Sequence, residues 1–393
     1  MRGQLYLFTA SFPYDEAETF LEDEIKYLSD SFERITIIPL YGKNKKRLVP
    51  ANCSVLKPVE EPGIFRFLPI FIPNRATALF LQEFFSKKVY SSIRRLKTWT
   101  IAFIQISNLL RNQEIKSIFT NIKKDDVCYF YWGKGSNVLS CFYNGKARFV
   151  SRFHGEWDLW EETSGGYAPL RDKIAKRLDL AAFISKKGEA YFKNKYSVCH
   201  TGVFPLGSFD NGICEKSIDG VLRIVSCSTV YPLKRVDLIH DALLKSDLKI
   251  EWTHIGAGVD FNKLSERIST KSRNGLKVTL LGQLSHNEVI DYYRTHTVDL
   301  FVNLSTNEGV PVSIMEAISF DIPVVATDVG ATSEIVSTET GVLLSANPSV
   351  SEIAETIKEV ALNRNLFNPR VFWKAHYDAE INYNHFVETI LHL

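Results

Sequence analysis

The chain has 393 residues, 45% of them hydrophobic and 23% charged, which is enough for two domains with separate cores and too balanced for a disordered or fibrous chain. Lys and Arg total 47 against 45 Asp and Glu, a net charge of +2, which excludes a nucleic-acid partner recruited by bulk electrostatics. Six cysteines, Cys53, Cys128, Cys141, Cys199, Cys214 and Cys227, form no C-x-x-C pair and read as free core thiols in a reducing compartment.

QLYLFTA (4–10) predicts a first strand, followed by a helix through Glu18, Leu21, Ile25 and Leu28. The opening apolar run is too short for a signal-peptide core and no run reaches the length of a membrane span, so the expected location is cytoplasmic, with at most a peripheral membrane contact. RITIIPL (34–40) predicts the next strand, and a helical insertion covers roughly 75–122. Within it, residues 81–99 place Leu81, Phe85, Val89, Ile93 and Leu96 at helical spacing, with Lys87, Lys88, Arg94, Arg95 and Lys97 around the rest of the wheel. Such a helix lies on an anionic membrane surface, or packs on a core like any surface helix while its cations snorkel. CYFYW (128–132), ARFVSRF (147–153) and LAAFIS (180–185) follow as strands, and a Gly- and Pro-rich stretch sets a linker at 205–219.

Beyond the linker, LRIVSC (222–227), KIEWTHI (249–255), LKVTLL (276–281), VDLFVN (298–303) and IPVVAT (322–327) alternate with helices around 236–245, 287–293 and 311–320. Apolar strands separated by helices predict a parallel sheet covered on both faces, a doubly wound α/β domain. A last aromatic-rich helix follows Pro369. The expected domains are 1–204, 220–368, and a C-terminal helix at 369–393 that crosses back to the first domain.

The most informative segment is NLSTNEGVPVSIMEA (303–317), where a strand ends and a helix begins with Pro311 near its first turn. Gly309 permits close approach of a ligand to the backbone, and a helix start at the carboxyl end of a parallel strand attracts phosphate. Glu308 lies just outside the helix and Glu316 about one and a half turns inside it, so the inner acid can accept from ribose hydroxyls while the outer faces whatever the phosphate carries. One capping acid and one solvated acid would give the same spacing. Upstream, Lys234 follows a strand closely enough to reach a diphosphate as a point charge.

With E-x7-E, P-V-V-A-T-D and T-G-x-L-L in this order over 220–345, the second half resembles the donor-binding domain of the retaining GT-B glycosyltransferases of family 4. R-F-H-G-E-x-D-L and the terminal N-Y-x-x-F resemble its capsule and lipopolysaccharide branch. The resemblance implies two Rossmann-like domains facing a cleft, and transfer of a sugar from a UDP- or GDP-linked donor to a saccharide or lipid-linked acceptor in surface polysaccharide synthesis. It implies that Glu308 lies near the donor sugar, that Gly309 and Val310 touch the donor with their backbone, that Glu316 holds the ribose, and that Lys234 neutralises the leaving diphosphate. The arginine that the family usually has five or six residues before that lysine is absent, those positions being Thr229 and Ser228, with Arg235 and Arg152 as candidate substitutes. Arg235 and Asp321 stand where glycines are frequent. A single histidine after a strand is by itself more often a hydrogen-bonded structural one, but the resemblance reverses that preference and places His154 beside the donor sugar; Asp158 is a candidate to orient the acceptor or His154. Glu18 matches an acid of the acceptor-side loop, with Ala17 at another frequent glycine. The resemblance implies a metal-independent front-face mechanism. The acids at 125 and 126 form no D-x-D, so no metal or cofactor is expected. A non-catalytic nucleotide- or glycan-binding relative, a sugar-nucleotide epimerase and a phosphorylase remain open. IGAG at 255–258 is only a fragment of a dinucleotide fingerprint.

Overall fold

The computed structural model describes residues 3–15, 18–43, 46–59, 74–143, 147–198 and 200–393. Ala17 and Cys199 lie outside them. Among the described residues, thirteen strands are present: β1 (Gln4–Thr9), β2 (Arg34–Pro39), β3 (Cys53–Val55), β4 (Val127–Phe130), β5 (Arg148–Phe153), β6 (Leu180–Phe183), β7 (Thr201–Val203), β8 (Leu222–Cys227), β9 (Ile250–Ile255), β10 (Leu276–Gly282), β11 (Leu300–Asn303), β12 (Val324–Thr327) and β13 (Gly341–Leu344). The chain divides into Met1–Phe204 with Tyr383–Leu393, and Pro205–Asn382.

In the first unit the strands run in the order β3-β2-β1-β4-β5-β6-β7, and neighbours are parallel. Alternate residues of β1 enter opposite cores: Leu5 and Leu7 join Ile35, Ile37 and Tyr129, whereas Tyr6 and Phe8 join Phe130, Phe149 and Phe153. That two-sided burial explains strands read as unbroken apolar runs. The helix Ala379–Leu391 contributes Phe386, Val387 and Ile390 to the core of Leu5 and Leu7. Each such side chain stabilises by about 1.5–3 kcal/mol when fully buried.

The insertion is helical over Arg75–Ser86, Ile93–Arg111 and Gln113–Asn121. The continuous helix expected through 81–99 is corrected: Lys88 is left-handed at φ 48°, Val89–Ser91 form a single tight turn, and Ser92 is extended. Val89 turns inward and is fully buried, while Phe85, Tyr90 and Ile93 stay exposed. The break arises where successive serines favour local turns over a continuing helix.

The second sheet has the order β10-β9-β8-β11-β12-β13, also parallel. Two expected boundaries shift. Residues 205–219 belong to this unit, because Cys214 donates to the Phe320 carbonyl, Ser217 donates to Asp299, and Lys216 pairs with Asp321. The helix Pro369–His376 also stays here, with Trp373 fully buried and its indole N–H donated to Ser208 Oγ at 2.8 Å. Only Tyr383–Leu393 joins the first unit. Arg235 and Asp321 are left-handed at φ 47° and 65°, the conformation that glycine adopts without strain.

Candidate functional site

Chain order in the second sheet reverses between β8 and β11, and in open parallel sheets ligands bind beyond the carboxyl ends of the strands at such a switch point. The segments that follow these strands, 228–235 and 304–311, carry Lys234 and Glu308. The glycines of IGAG at 255–258 have a packing role. A Cβ at Gly256 would collide with the Ser228 carbonyl, and one at Gly258 with the Val230 carbonyl. These glycines let the loop after β9 pack on the loop after β8, and Val230 donates to the Ala257 carbonyl at 2.9 Å.

Lys234 Nζ lies 2.6 Å from Glu308 Oε1, with the lysine side chain 17% and the glutamate 8% exposed. Asn303, at the end of β11, donates its amide to the same Glu308 oxygen at 3.3 Å and accepts from the Ser305 amide at 3.0 Å. The carboxylate and the ammonium are therefore held at the strand end, partly shielded from water. Asn303 escaped the sequence reading, although a polar residue closing an apolar strand was the available signal. Gly309 follows directly, Val310 is buried, and the helix runs over Val312–Ser319 with Pro311 just ahead of it. Its first amides have no intrahelical acceptor.

Gly330 fixes this geometry from the neighbouring loop. It is left-handed at φ 54°, and a Cβ there would overlap the Glu308 carbonyl oxygen. Gly330→Ala is expected to cost about 1–3 kcal/mol and to displace Glu308. A melting curve and a turnover assay should both fall, and an unchanged turnover would mean that the position of Glu308 does not matter.

Arg235 is corrected as a diphosphate ligand. Its guanidinium donates to the carbonyls of Leu304 (2.5 Å), Ser305 (3.0 Å) and Ala346 (2.9 Å), tying the loop after β11 to the loop after β13. It builds the site and is not left to fill it. Ser228 and Thr229 lie at the end of β8, Ser228 donating its amide to Ile255 and Thr229 exposed. Glu316 is 8% exposed, and its Oε1 lies 3.2 Å from His286 Nδ1. His286 opens the helix His286–Thr295, whose capping box pairs Ser285 with Glu288. Cys227, at the end of β8, has its thiol pushed up to about 12 by burial first and by the Glu316 charge second. Glu316 thus faces the end of β8 and is oriented by a histidine that the sequence reading missed.

In the first unit His154 follows β5, its ring between Tyr131 and Trp132 at centroid distances of 4.7 and 4.6 Å. Nε2 lies 2.9 Å from the Tyr131 carbonyl, which can only accept, so Nε2 carries the proton and Nδ1 keeps a lone pair for a hydroxyl. Burial first, then the charge of Arg152, depress its pKa from 6.5 to about 3. Because the unfolded chain takes up this proton near pH 6.5 and the folded chain only near 3, the stability is present above 6.5 and lost as pH falls. Asp158 runs the other way: burial lifts its pKa to about 6, so its contribution is lost as pH rises from 3.8 to 6. Melting curves between pH 4 and 7 should show a shallower acid-side fall for His154→Gln than for the native chain, and parallel curves would contradict the assignment.

Asp158 acts through backbone, accepting from the amides of His154 (3.0 Å) and Gly133 (3.0 Å). It positions His154 and, being 1% exposed, does not orient an acceptor directly. Glu18 is corrected likewise. Its carboxylate accepts from the amides of Ala10, Ser11 and Phe12 and from the Trp132 indole at 2.6–2.9 Å, so it shapes the loop after β1. Arg152 is also corrected: its guanidinium is fully buried, pairs with Glu24, and donates to the Phe204 carbonyl at 3.0 Å. Neither candidate substitute for the missing arginine is available to a diphosphate. Among the described residues, no group of three or more His, Cys, Asp or Glu side chains is placed to hold a metal ion.

Residues 216–370 match the family described as Glycosyl transferases group 1. Over 191 residues the chain is 30% identical to the lipopolysaccharide core biosynthesis mannosyltransferase LpsB of Rhizobium meliloti, covering 44% of this chain and 53% of that one; the match spans about half the length of this curated relative. Among solved structures, HepE of Anabaena in complex with UDP superposes with a TM-score of 0.68 at 15% identity, covering 100% of both chains. The apo lipopolysaccharide outer core galactosyltransferase WaaB gives 0.66 at 14%, covering 99% of each. These likenesses show the fold, which is GT-B.

Proposed function

We infer that this chain, whose residues 216–370 form a group 1 glycosyl transferase domain, moves a sugar from a nucleoside-diphosphate donor, UDP- or GDP-linked, to a saccharide or lipid-linked saccharide in surface polysaccharide synthesis. The observation that carries this reading is the Lys234–Glu308 pair, braced by Asn303, at the switch point of the second sheet. Lys234 and the first amides of the helix Val312–Ser319 stabilise the charge that develops on the leaving diphosphate. Glu308 supports the oxocarbenium-like sugar, and Glu316 accepts from the ribose hydroxyls. His154, neutral near pH 7, offers Nδ1 to a sugar hydroxyl.

The reaction is retaining and independent of metal. The bond from the anomeric carbon to phosphate breaks, the acceptor oxygen bonds on the same face, and the leaving phosphate oxygen takes the acceptor proton. No protein nucleophile is needed for that sequence. Acting on lipid-linked acceptors places the chain at the cytoplasmic face of a membrane. Leu81, Phe85, Ile93 and Leu96 are exposed beside Lys87, Lys88, Arg94 and Lys97, a composition suited to an anionic lipid surface. Among the described residues no helix is long and apolar enough to cross a membrane.

The test is release of nucleoside diphosphate from UDP- and GDP-sugars with a saccharide acceptor, with and without EDTA, followed by NMR of the product's anomeric configuration. Release that survives EDTA and retains the configuration supports the whole reading. An inverted product would overturn the mechanism, and no release from any donor would favour a relative that only binds.

A further inference from the structure

Two helices of the second unit meet at Glu316. It lies on the helix Val312–Ser319, its side chain 10% exposed, with Oε1 3.2 Å from the Nδ1 of His286, whose own side chain is 54% exposed at the start of the helix His286–Thr295. The histidine therefore reaches the carboxylate from the solvent side. Cys227, at the end of β8, feels the same carboxylate, whose charge is the second cause after burial that pushes its thiol up.

Packing, and not this contact, sets the separation of the two helices. Tyr293 is fully buried on the histidine's helix, and its ring lies 5.2 Å from that of Phe320, itself fully buried where the helix of Glu316 ends. The start of the histidine's helix is fixed as well, because Glu288 accepts from the Ser285 amide at 2.7 Å and Ser285 Oγ accepts from the Glu288 amide at 3.4 Å. His286 is thus presented to Glu316 by a backbone that does not depend on their contact.

A carboxylate offers about four lone-pair positions, and one imidazole N–H takes a single one of them. What the histidine removes is freedom, since the last torsion of a glutamate is broad and does not by itself fix the plane of the two oxygens. With Oε1 held, Oε2 and the remaining position on Oε1 lie side by side, a spacing that matches two neighbouring hydroxyls. In a nucleoside diphosphate that pair is the 2′- and 3′-hydroxyl of the ribose. An acceptor oriented in advance loses less freedom when the ligand binds.

We propose that His286 makes this site select a ribonucleotide: it sets the plane of the Glu316 carboxylate so that the 2′- and 3′-hydroxyls donate to its two oxygens together. This rests on the reading of Glu316 as the ribose acceptor. His286 acts through Glu316 and is a positioning residue.

Calorimetric titration of the full chain tests it, with UDP and GDP and the 2′-deoxy and 2′,3′-dideoxy forms of each as probes. In the native chain, each hydroxyl removed from the nucleotide that binds more tightly should cost about tenfold in affinity, as for a hydrogen bond to a charged acceptor. In His286→Ala the parent nucleotide should weaken about tenfold while the dideoxy form changes by less than about twofold, so the selectivity collapses. His286→Asn, whose side-chain N–H can reach the same oxygen, should restore most of it. In turnover the loss should appear in the donor KM more than in kcat, as for binding made alike in ground and transition states. Native selectivity in His286→Ala, an equal loss of affinity for parent and dideoxy forms, or a His286→Asn chain as unselective as His286→Ala would overturn the proposal. Glu316→Ala separates it from the reading on which it rests. Selectivity lost in Glu316→Ala but kept in His286→Ala leaves the ribose site standing without the histidine's role. A native chain that binds the dideoxy form as tightly as the parent, or binds neither UDP nor GDP, would overturn the ribose reading itself and the proposal with it.

Discussion

Lys234→Ala is expected to lower turnover by about two orders of magnitude or more while the protein stays folded. An ammonium 2.6 Å from Glu308 Oε1 at a strand end is fixed before a donor arrives, so it need not reorganise as charge develops on the leaving group. Removing one such stabilising group costs about 2.7–4 kcal/mol in the transition state. The cost in stability is smaller, about 1–3 kcal/mol for a partly buried hydrogen-bonded partner, because Asn303 still donates to Glu308. Glu308→Gln removes the charge and keeps the shape and the acceptor oxygen, and should depress turnover comparably. Steady-state rates at saturating donor, read beside melting curves, separate the two effects. Native turnover in both variants would refute the assignment.

Arg152→Ala should give the largest loss of stability. The guanidinium is fully buried, paired with Glu24, within 3.4 Å of the Tyr129 hydroxyl, and 4.5 Å above the Phe386 ring. It therefore joins β5, the first helix and the C-terminal helix inside one core. Burial already raises the pKa of Glu24 in spite of the arginine, so truncation leaves a buried carboxylate that must take up a proton. Breaking such a pair from one side costs about 3–5 kcal/mol, a fall of roughly 10 °C in the melting midpoint. Replacing both members by apolar residues of similar volume should recover most of it. A loss under about 1 kcal/mol in Arg152→Ala would show that the pair is not the anchor described.

The strands were legible where burial on both faces makes them continuous apolar runs. LRIVSC coincides with β8 residue for residue, and the expected KIEWTHI differs from β9 by one position. CSV, TGV and GVLL were passed over because β3, β7 and β13 sit at sheet edges, where three or four residues need no apolar face on both sides. Side-chain destinations were much less legible. Arg235 and Arg152 looked like free cations, but the acceptors that claim them, Leu304 and Ser305 in one case and Glu24 in the other, lie 69–70 and 128 residues away. Lys234 and Glu308 are 74 residues apart, and nothing in local periodicity links them. The family resemblance assigned both to one donor site without pairing them, and the order of the second sheet gives the physical reason that they meet: β8 and β11 are neighbours. The left-handed backbone at Arg235 and Asp321 accounts for the frequent glycines at those two positions, although neither residue type announces it.

The most direct test of the nucleotide-sugar site is a calorimetric titration of the full chain with UDP, GDP, ADP and CMP, with and without EDTA, repeated on Glu316→Ala. The account predicts selective binding of one nucleoside diphosphate, unchanged by EDTA and weakened at least tenfold in Glu316→Ala, since that carboxylate would otherwise accept from two ribose hydroxyls. Equal affinity in the native chain and Glu316→Ala, or no binding of any of the four, would contradict it.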